Sequence, residues 1–209
     1  MRSSEEKLQF WLLWSALAFF GLQATYYGLT YIFGDTDLFS HIFREKYIRH
    51  LTLVRTHSLG GGLAVITSLL AILPESRRYK VHRQLGRLYV LAVLVAGATA
   101  MPMASMAAGS FLSKIGFATQ GVLWVLTALW AVKAARKRDF ANHRRWMIRS
   151  FALTYGAVLS RILLNAAVVS GVPFFSIYDA ISWSWLLTLA VGEIWLGAQP
   201  PLRSGPSST

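Results

Sequence analysis

Cysteine is absent from the 209 residues. That removes disulfides, zinc ribbons, iron–sulfur clusters and thiol chemistry at once, so any metal or haem must be held by His, Met, Tyr or carboxylate. Charge is scarce as well: 14% of residues are Asp, Glu, Lys or Arg, against about a quarter in soluble domains. Acid is scarcest, nine carboxylates against 21 Lys and Arg, for a net charge of +12. No hydrolase triad, phosphate-cradling loop or metalloprotease His–Glu pair is legible. The run Gly60-Gly61-Gly62 lies inside an apolar segment with no Lys behind it.

What is present is apolar: 55% hydrophobic residues and a mean hydropathy of +0.45. The apolar residues fall into six segments, approximately 10–33, 51–73, 88–108, 115–135, 146–170 and 178–198. Each reaches the ~20 residues that cross a hydrocarbon core. The expected fold is therefore all-α, a single six-helix transmembrane bundle over residues 1–198, followed by a disordered Pro- and Ser-rich tail, 199–209. The first segment is expected to be retained. Ala16-Leu17-Ala18 imitates a cleavage site, but the apolar run before it is short and apolar sequence continues after it. Pro74 and Gly171-Val172-Pro173 end helices, and Pro102 is expected to kink one.

The cations set the expected topology. Fifteen of the 21 Lys and Arg flank one side of the alternating segments and five the other, with Arg161 inside a span. This places both termini in the cytoplasm of a multi-pass protein of the plasma (bacterial inner) membrane. Topology and anionic headgroups account for the net charge, and no nucleic-acid partner is expected. Tyr26, Tyr27 and Tyr31, with Trp11, Trp14, Trp146, Trp183 and Trp185, suit interfacial belts.

Two basic stretches echo each other, His82-Arg83-Gln84-Leu85-Gly86-Arg87-Leu88-Tyr89 and His143-Arg144-Arg145-Trp146-Met147-Ile148-Arg149-Ser150. Each reads as a basic turn running into an apolar helix on the same membrane face. Two imidazoles from facing helices are what a six-coordinate b-type haem requires. Arg83, Arg87, Arg144 and Arg149 would then meet its propionates. The alternative is that the same residues only meet lipid phosphate. His57 precedes the Gly60–Gly62 run, where small residues admit a neighbouring helix or a flat cofactor. Arg161, with Asn165 one turn on, is a cation at hydrocarbon depth and by default a functional site. Glu193 in the last span is its expected partner in a structural ion pair. Otherwise Arg161 serves an anionic site, for a substrate carboxylate, a quinone oxygen or a propionate. His41 and His50 belong to a solvated loop.

The pattern Arg55-x-His57-x-x-x-Gly61, His82-Arg83-x-x-Gly86-Arg87-x-Tyr89, His143-x-x-Trp146-Met147-x-Arg149-Ser150 and Arg161 resembles a family of bacterial polytopic proteins. That family is known as a predicted membrane protein domain of unknown function. More distantly, the chain is similar to the cytochrome b561 and ferric-reductase-like group, whose bundles carry electrons on haem b. That resemblance implies ligand pairs between the second and fourth spans and between the third and fifth. Here the three–five pair corresponds to His82 with His143, whereas the fourth span offers Gln120 and no His. The expected function is that of an integral membrane protein of unassigned activity, whose first specific reading is a haem b redox protein with a quinone or membrane redox partner. Its rival is a non-enzymatic small transporter or assembly factor, with Arg161 and Glu193 as gate or lock.

Overall fold

The computed structural model describes residues 4–38 and 42–199; His41 and the tail from residue 200 lie outside them. The described residues form eight α-helices: α1 Ser4–Phe33, α2 Arg44–Arg49, α3 Leu51–Ile72, α4 Tyr79–Ser105, α5 Phe111–Arg136, α6 Phe140–Val169, α7 Phe174–Ile181 and α8 Trp185–Gly197. Six stretches are long and apolar enough to cross a membrane: α1, α3, α4, α5, α6 and the segment Ile177–Gly197. In lipid every backbone amide needs a partner within its own segment, and a helix supplies one. Large apolar side chains such as Leu12, Phe19, Leu91, Val169 and Ile194 stand exposed around the outside. In a hydrocarbon solvent that is where they belong.

Chain neighbours are also neighbours in space. α1 packs on α3, α3 on α4, α4 on α5, α5 on α6 and α6 on α8, and α6 also reaches α1 and α3 to close the bundle. One end carries the start of α1, the 73–78 and 137–139 connections and the end of α8; it is called the basic end below. The opposite, distal end carries residues 34–38 and 42–50, the 106–110 connection and α7.

Small residues set the helix spacing, as expected where lipid gives no hydrophobic drive for helices to associate. A Cβ on Gly60 would stand 3.0 Å from Ala96 N and 3.1 Å from Ala92 O of α4. A Cβ on Gly62 would stand 3.1 Å from Thr25 Cγ2 of α1. The glycine run therefore lets α3 lie close between two helices.

Several boundaries depart from expectation. The basic stretches are not turns: α4 begins at Tyr79 and α6 at Phe140, so His82–Tyr89 and His143–Ser150 are already helical. Hydropathy marks where lipid begins, whereas Lys, Arg and Gln are good helix formers and carry the helix on through the headgroup layer. Asp139 starts α6 as its N-cap, accepting from Asn142 N at 3.1 Å and from Asn142 Nδ2 at 2.7 Å. Those hydrogen bonds, the side-chain one foremost, hold its carboxyl below the usual range. Gly171 takes a left-handed φ of +67° after α6, a conformation natural to glycine. Pro102 lies within the last turn of α4.

The loop expected over 34–50 holds α2, which caps the distal end. Phe43 stacks on Tyr47 at 5.2 Å, and Tyr178 and Tyr31 close on the same pair at 6.1 and 5.6 Å. Burial pushes the Tyr47 phenol well above its ordinary value. Ion pairs join Arg44 to Asp37 and Arg49 to Glu45 beside this cap.

The sixth span is interrupted. α7 and α8 are joined by a turn over Ser182–Ser184, against which the glycines of α5 and α6 press. A Cβ on Gly116 would stand 2.7 Å from Ser182 Oγ, and one on Gly156 2.5 Å from Trp185 Cβ. Trp185 is buried and Trp183 packs against the core, so neither belongs to an interfacial belt. Their buried indole N–H groups find no acceptor among the described residues.

Candidate functional site

At the basic end, His82 of α4 and His143 of α6 stand two helical turns above the contact of Tyr89 with Ser150, and the charge of His143 reaches His82. His143 Nδ1 lies 2.9 Å from the backbone oxygen of Ala131 on α5. A carbonyl only accepts, so Nδ1 carries the donated hydrogen and Nε2 is left as the coordinating or proton-accepting nitrogen. The arrangement is that of a metal-ligating histidine held by a backbone carbonyl. His82 is exposed. One turn below it, a Cβ on Gly86 would meet nothing within 4 Å, so the α4 face beneath His82 is open. Among the described residues no three His, Asp or Glu cluster as a metal site.

Two turns deeper on the same faces, Tyr89 follows His82 and Ser150 follows His143. Here α4, α5 and α6 share a buried polar hub. Tyr89 Oη lies 2.7 Å from Ser150 Oγ and 2.9 Å from Thr154 Oγ1. Trp124 Nε1 donates to Thr154 Oγ1 at 2.9 Å, and Thr154 donates to the Ser150 carbonyl at 3.0 Å. One assignment satisfies every group: Ser150 donates to Tyr89, Tyr89 to Thr154, and Thr154 to its own helix. Full satisfaction makes the hub a rigid floor under the two histidines. Tyr89 and Ser150 stood in the sequence pattern, but their meeting did not.

The arginines divide. Arg149 makes two hydrogen bonds to Glu193, Nε to Oε1 at 2.5 Å and Nη2 to Oε2 at 2.9 Å, and lies 4.7 Å from the Trp146 ring. Glu193 is therefore the partner of Arg149 and not of Arg161. The expected depths misled because Glu193 lies in the last two turns of α8, at the basic end, whereas Arg161 stands twelve residues beyond Arg149, about 18 Å along α6. The charge of Arg149 is thus already paired. Arg144 lies over Trp195 at 5.1 Å and donates to Gln199 at 3.4 Å. Arg83 lies over Tyr79 at 5.9 Å. Arg83, Arg87 and Arg144 form no ion pair among the described residues.

The remaining candidates lie in the distal half. His57 Nδ1 stands 3.0 Å from Ala96 O and 3.2 Å from Thr99 Oγ1, which ties α3 to α4. Arg161 is eighteen residues from His143, about 27 Å along the helix, so it shares no cavity with the histidine pair. Its electrostatic neighbours are Tyr47, Tyr31, Tyr178 and His57. Gln120, the polar residue that the fourth span offers in place of a His, donates from Nε2 to Leu153 O at 3.0 Å and so binds α5 to α6.

Six apolar spans, a lipid-facing apolar exterior and a polar interior shared by α4, α5 and α6 define a multi-pass membrane protein. The chain belongs to the family described as Predicted membrane protein (DUF2306), whose model matches residues 54–196, from α3 to α8. No curated protein and no solved structure gives a match.

Proposed function

We propose that the protein is a b-type haem-binding redox protein, with His82 and His143 as axial ligands at the basic end. The observation that carries this reading is the Nδ1–H donation from His143 to Ala131 O, which leaves Nε2 as the nitrogen able to coordinate. The donor set fits: two imidazoles on different helices, an open α4 face at Gly86, and Arg83, Arg87 and Arg144 free of carboxylates to meet propionates. When bound, haem b takes up and passes on one electron at a time. The hub of Tyr89, Ser150, Thr154 and Trp124 would hold the helix spacing and keep water from the deeper bundle. Lacking a second histidine pair, the chain serves exchange at one membrane face, with a quinone or a membrane redox partner, and that face is the cytoplasmic one by its Lys and Arg.

The test is a visible spectrum of detergent-purified protein from cells supplied with haem, oxidised and then reduced with dithionite. The expected result is a Soret band with sharp reduced α and β bands, lost in His82→Ala and in His143→Ala while both variants still insert. Undiminished haem in both variants would refute the assignment.

The interrupted sixth span favours a second reading, a small transporter, because broken helices with unsatisfied polar groups line many transport sites. With no native cysteine to interfere, cysteines placed at Ser182 and Ser184 report directly on access. Under this reading an impermeant thiol reagent labels them from both sides of the membrane. Protection from both sides, as in a static core, counts against it.

A further inference from the structure

Arg161 sits eight residues inside the end of α6, about 12 Å below it, and no carboxylate pairs with it among the described residues. It is nonetheless exposed at the surface of the bundle. A cation at that depth costs several kcal/mol in lipid unless something neutralises it. The surroundings show where that something enters. α1 and α6 touch at the level where Tyr155 Oη donates to Leu17 O at 3.0 Å. Toward the distal end a cleft opens between them, lined by Phe20, Gln23 and Tyr27 of α1 and by Arg161, Ile162 and Asn165 of α6.

Gln23, Asn165 and the Tyr27 hydroxyl make no side-chain hydrogen bond among the described residues, although Gln23 lies ten residues, about 15 Å, inside the end of α1. Four polar groups thus converge on a lipid-facing cleft, one carrying positive charge and none negative. All four can donate. The geometry points to a binding site for the carboxylate of a long-chain amphiphile, a fatty-acid-like molecule that enters sideways from the bilayer. The guanidinium fork pairs with both carboxylate oxygens. Gln23, Tyr27 and Asn165 supply further donors, and the acyl chain lies along the apolar flank of α1. The cleft is too tight to admit even water as it stands, so the carboxylate would seat at its lipid-facing mouth, and a quinone ring is excluded. Phe20 and Tyr27 stand exposed at its rim.

The site is independent of the histidines, and its test needs no haem. Protein reconstituted in phosphatidylcholine vesicles is titrated with nitroxide-labelled stearate, and the immobilised fraction is read by electron paramagnetic resonance. The methyl ester of the same probe and a labelled phosphatidylglycerol are run beside it. The ionised acid should associate at least about tenfold more tightly than its ester, the loss expected when a charge-assisted hydrogen bond is removed. The preference should vanish as the pH falls below the pKa of the bound acid. Arg161→Gln should remove it, and Arg161→Lys should restore part of it. If Arg161→Gln does not fold, Asn165→Leu, which keeps the charge, should still weaken the acid severalfold and leave the ester unchanged. Equal binding of acid and ester overturns the proposal. So does selective retention of phosphatidylglycerol, which would make the anion a phospholipid phosphate.

Discussion

Gly156→Val is expected to prevent the bundle from closing. Any β-carbon at position 156 would stand 2.5 Å from Trp185 Cβ and 2.8 Å from its Cα. The obstacle is the backbone of α8 at its first residue, not the end of a flexible side chain. Relief requires α6 and α8 to separate along a contact that also carries the pair Arg149–Glu193. Overpacking in a close-packed core costs about 1–3 kcal/mol and sometimes more, and a backbone obstacle puts this site at the upper end. Gly156→Ala should already be destabilised in the same direction. The control is Gly61→Ala, whose added Cβ meets nothing within 4 Å and whose helix gains about 1 kcal/mol in propensity. Titration of detergent-solubilised protein with sodium dodecyl sulfate, read by tryptophan fluorescence, separates the variants. An unchanged midpoint for Gly156→Val would mean that α8 does not rest on α6 as described.

Tyr89→Ala is expected to be the costliest single truncation in the core. It empties the space of a fully buried ring and removes the group through which α4 meets Ser150 and Thr154. Aromatic truncations in cores cost about 3–5 kcal/mol. Tyr89→Phe keeps the ring and separates the two contributions. Thr154 already bonds its own helix, and Trp124 keeps Thr154 as acceptor, so the hydroxyl alone should be worth about 0.6 kcal/mol, the average for polar contacts between membrane helices. The same unfolding titration should place the alanine variant well below the phenylalanine one. Two equal midpoints would transfer the stabilisation from ring packing to the hydrogen bonds.

The transmembrane architecture was legible in the residues because lipid selects on length and polarity, both one-dimensional properties. Apolar runs such as Leu51–Ile72 announce themselves. What was illegible depended on polar helix or on the partner across a gap. The starts of α4 and α6 were missed because Arg, Lys and Gln lower hydropathy without weakening a helix. The pairing of Glu193 was missed because assigning it to Arg161 assumed matching depths for two residues that the antiparallel α6 and α8 carry to opposite ends of the bundle. One signal was available and unused: Tyr89 lies seven residues after His82, and Ser150 seven after His143. Seven residues are two helical turns, so each pair shares a face, and a pairing of the two histidine faces predicts that Tyr89 and Ser150 meet below. The cleft at Arg161 could not be foreseen, since nothing in α1 says where it leaves α6.

The hub of Tyr89, Trp124, Ser150 and Thr154 also imposes a schedule on the newborn chain. Tyr89 and Trp124 leave the ribosome before the helix that holds their acceptors. At synthesis rates of about 5–20 residues per second, the thirty residues from Trp124 to Thr154 take roughly 2–6 s. Through that interval the earlier helices carry a phenol, an indole and the Gln120 amide with no partner in α6, and hydrocarbon offers none. These helices are best sheltered beside the insertion machinery until α6 arrives. With it the three polar groups gain their partners, and Tyr155 reaches back 138 residues to Leu17 of the first helix made.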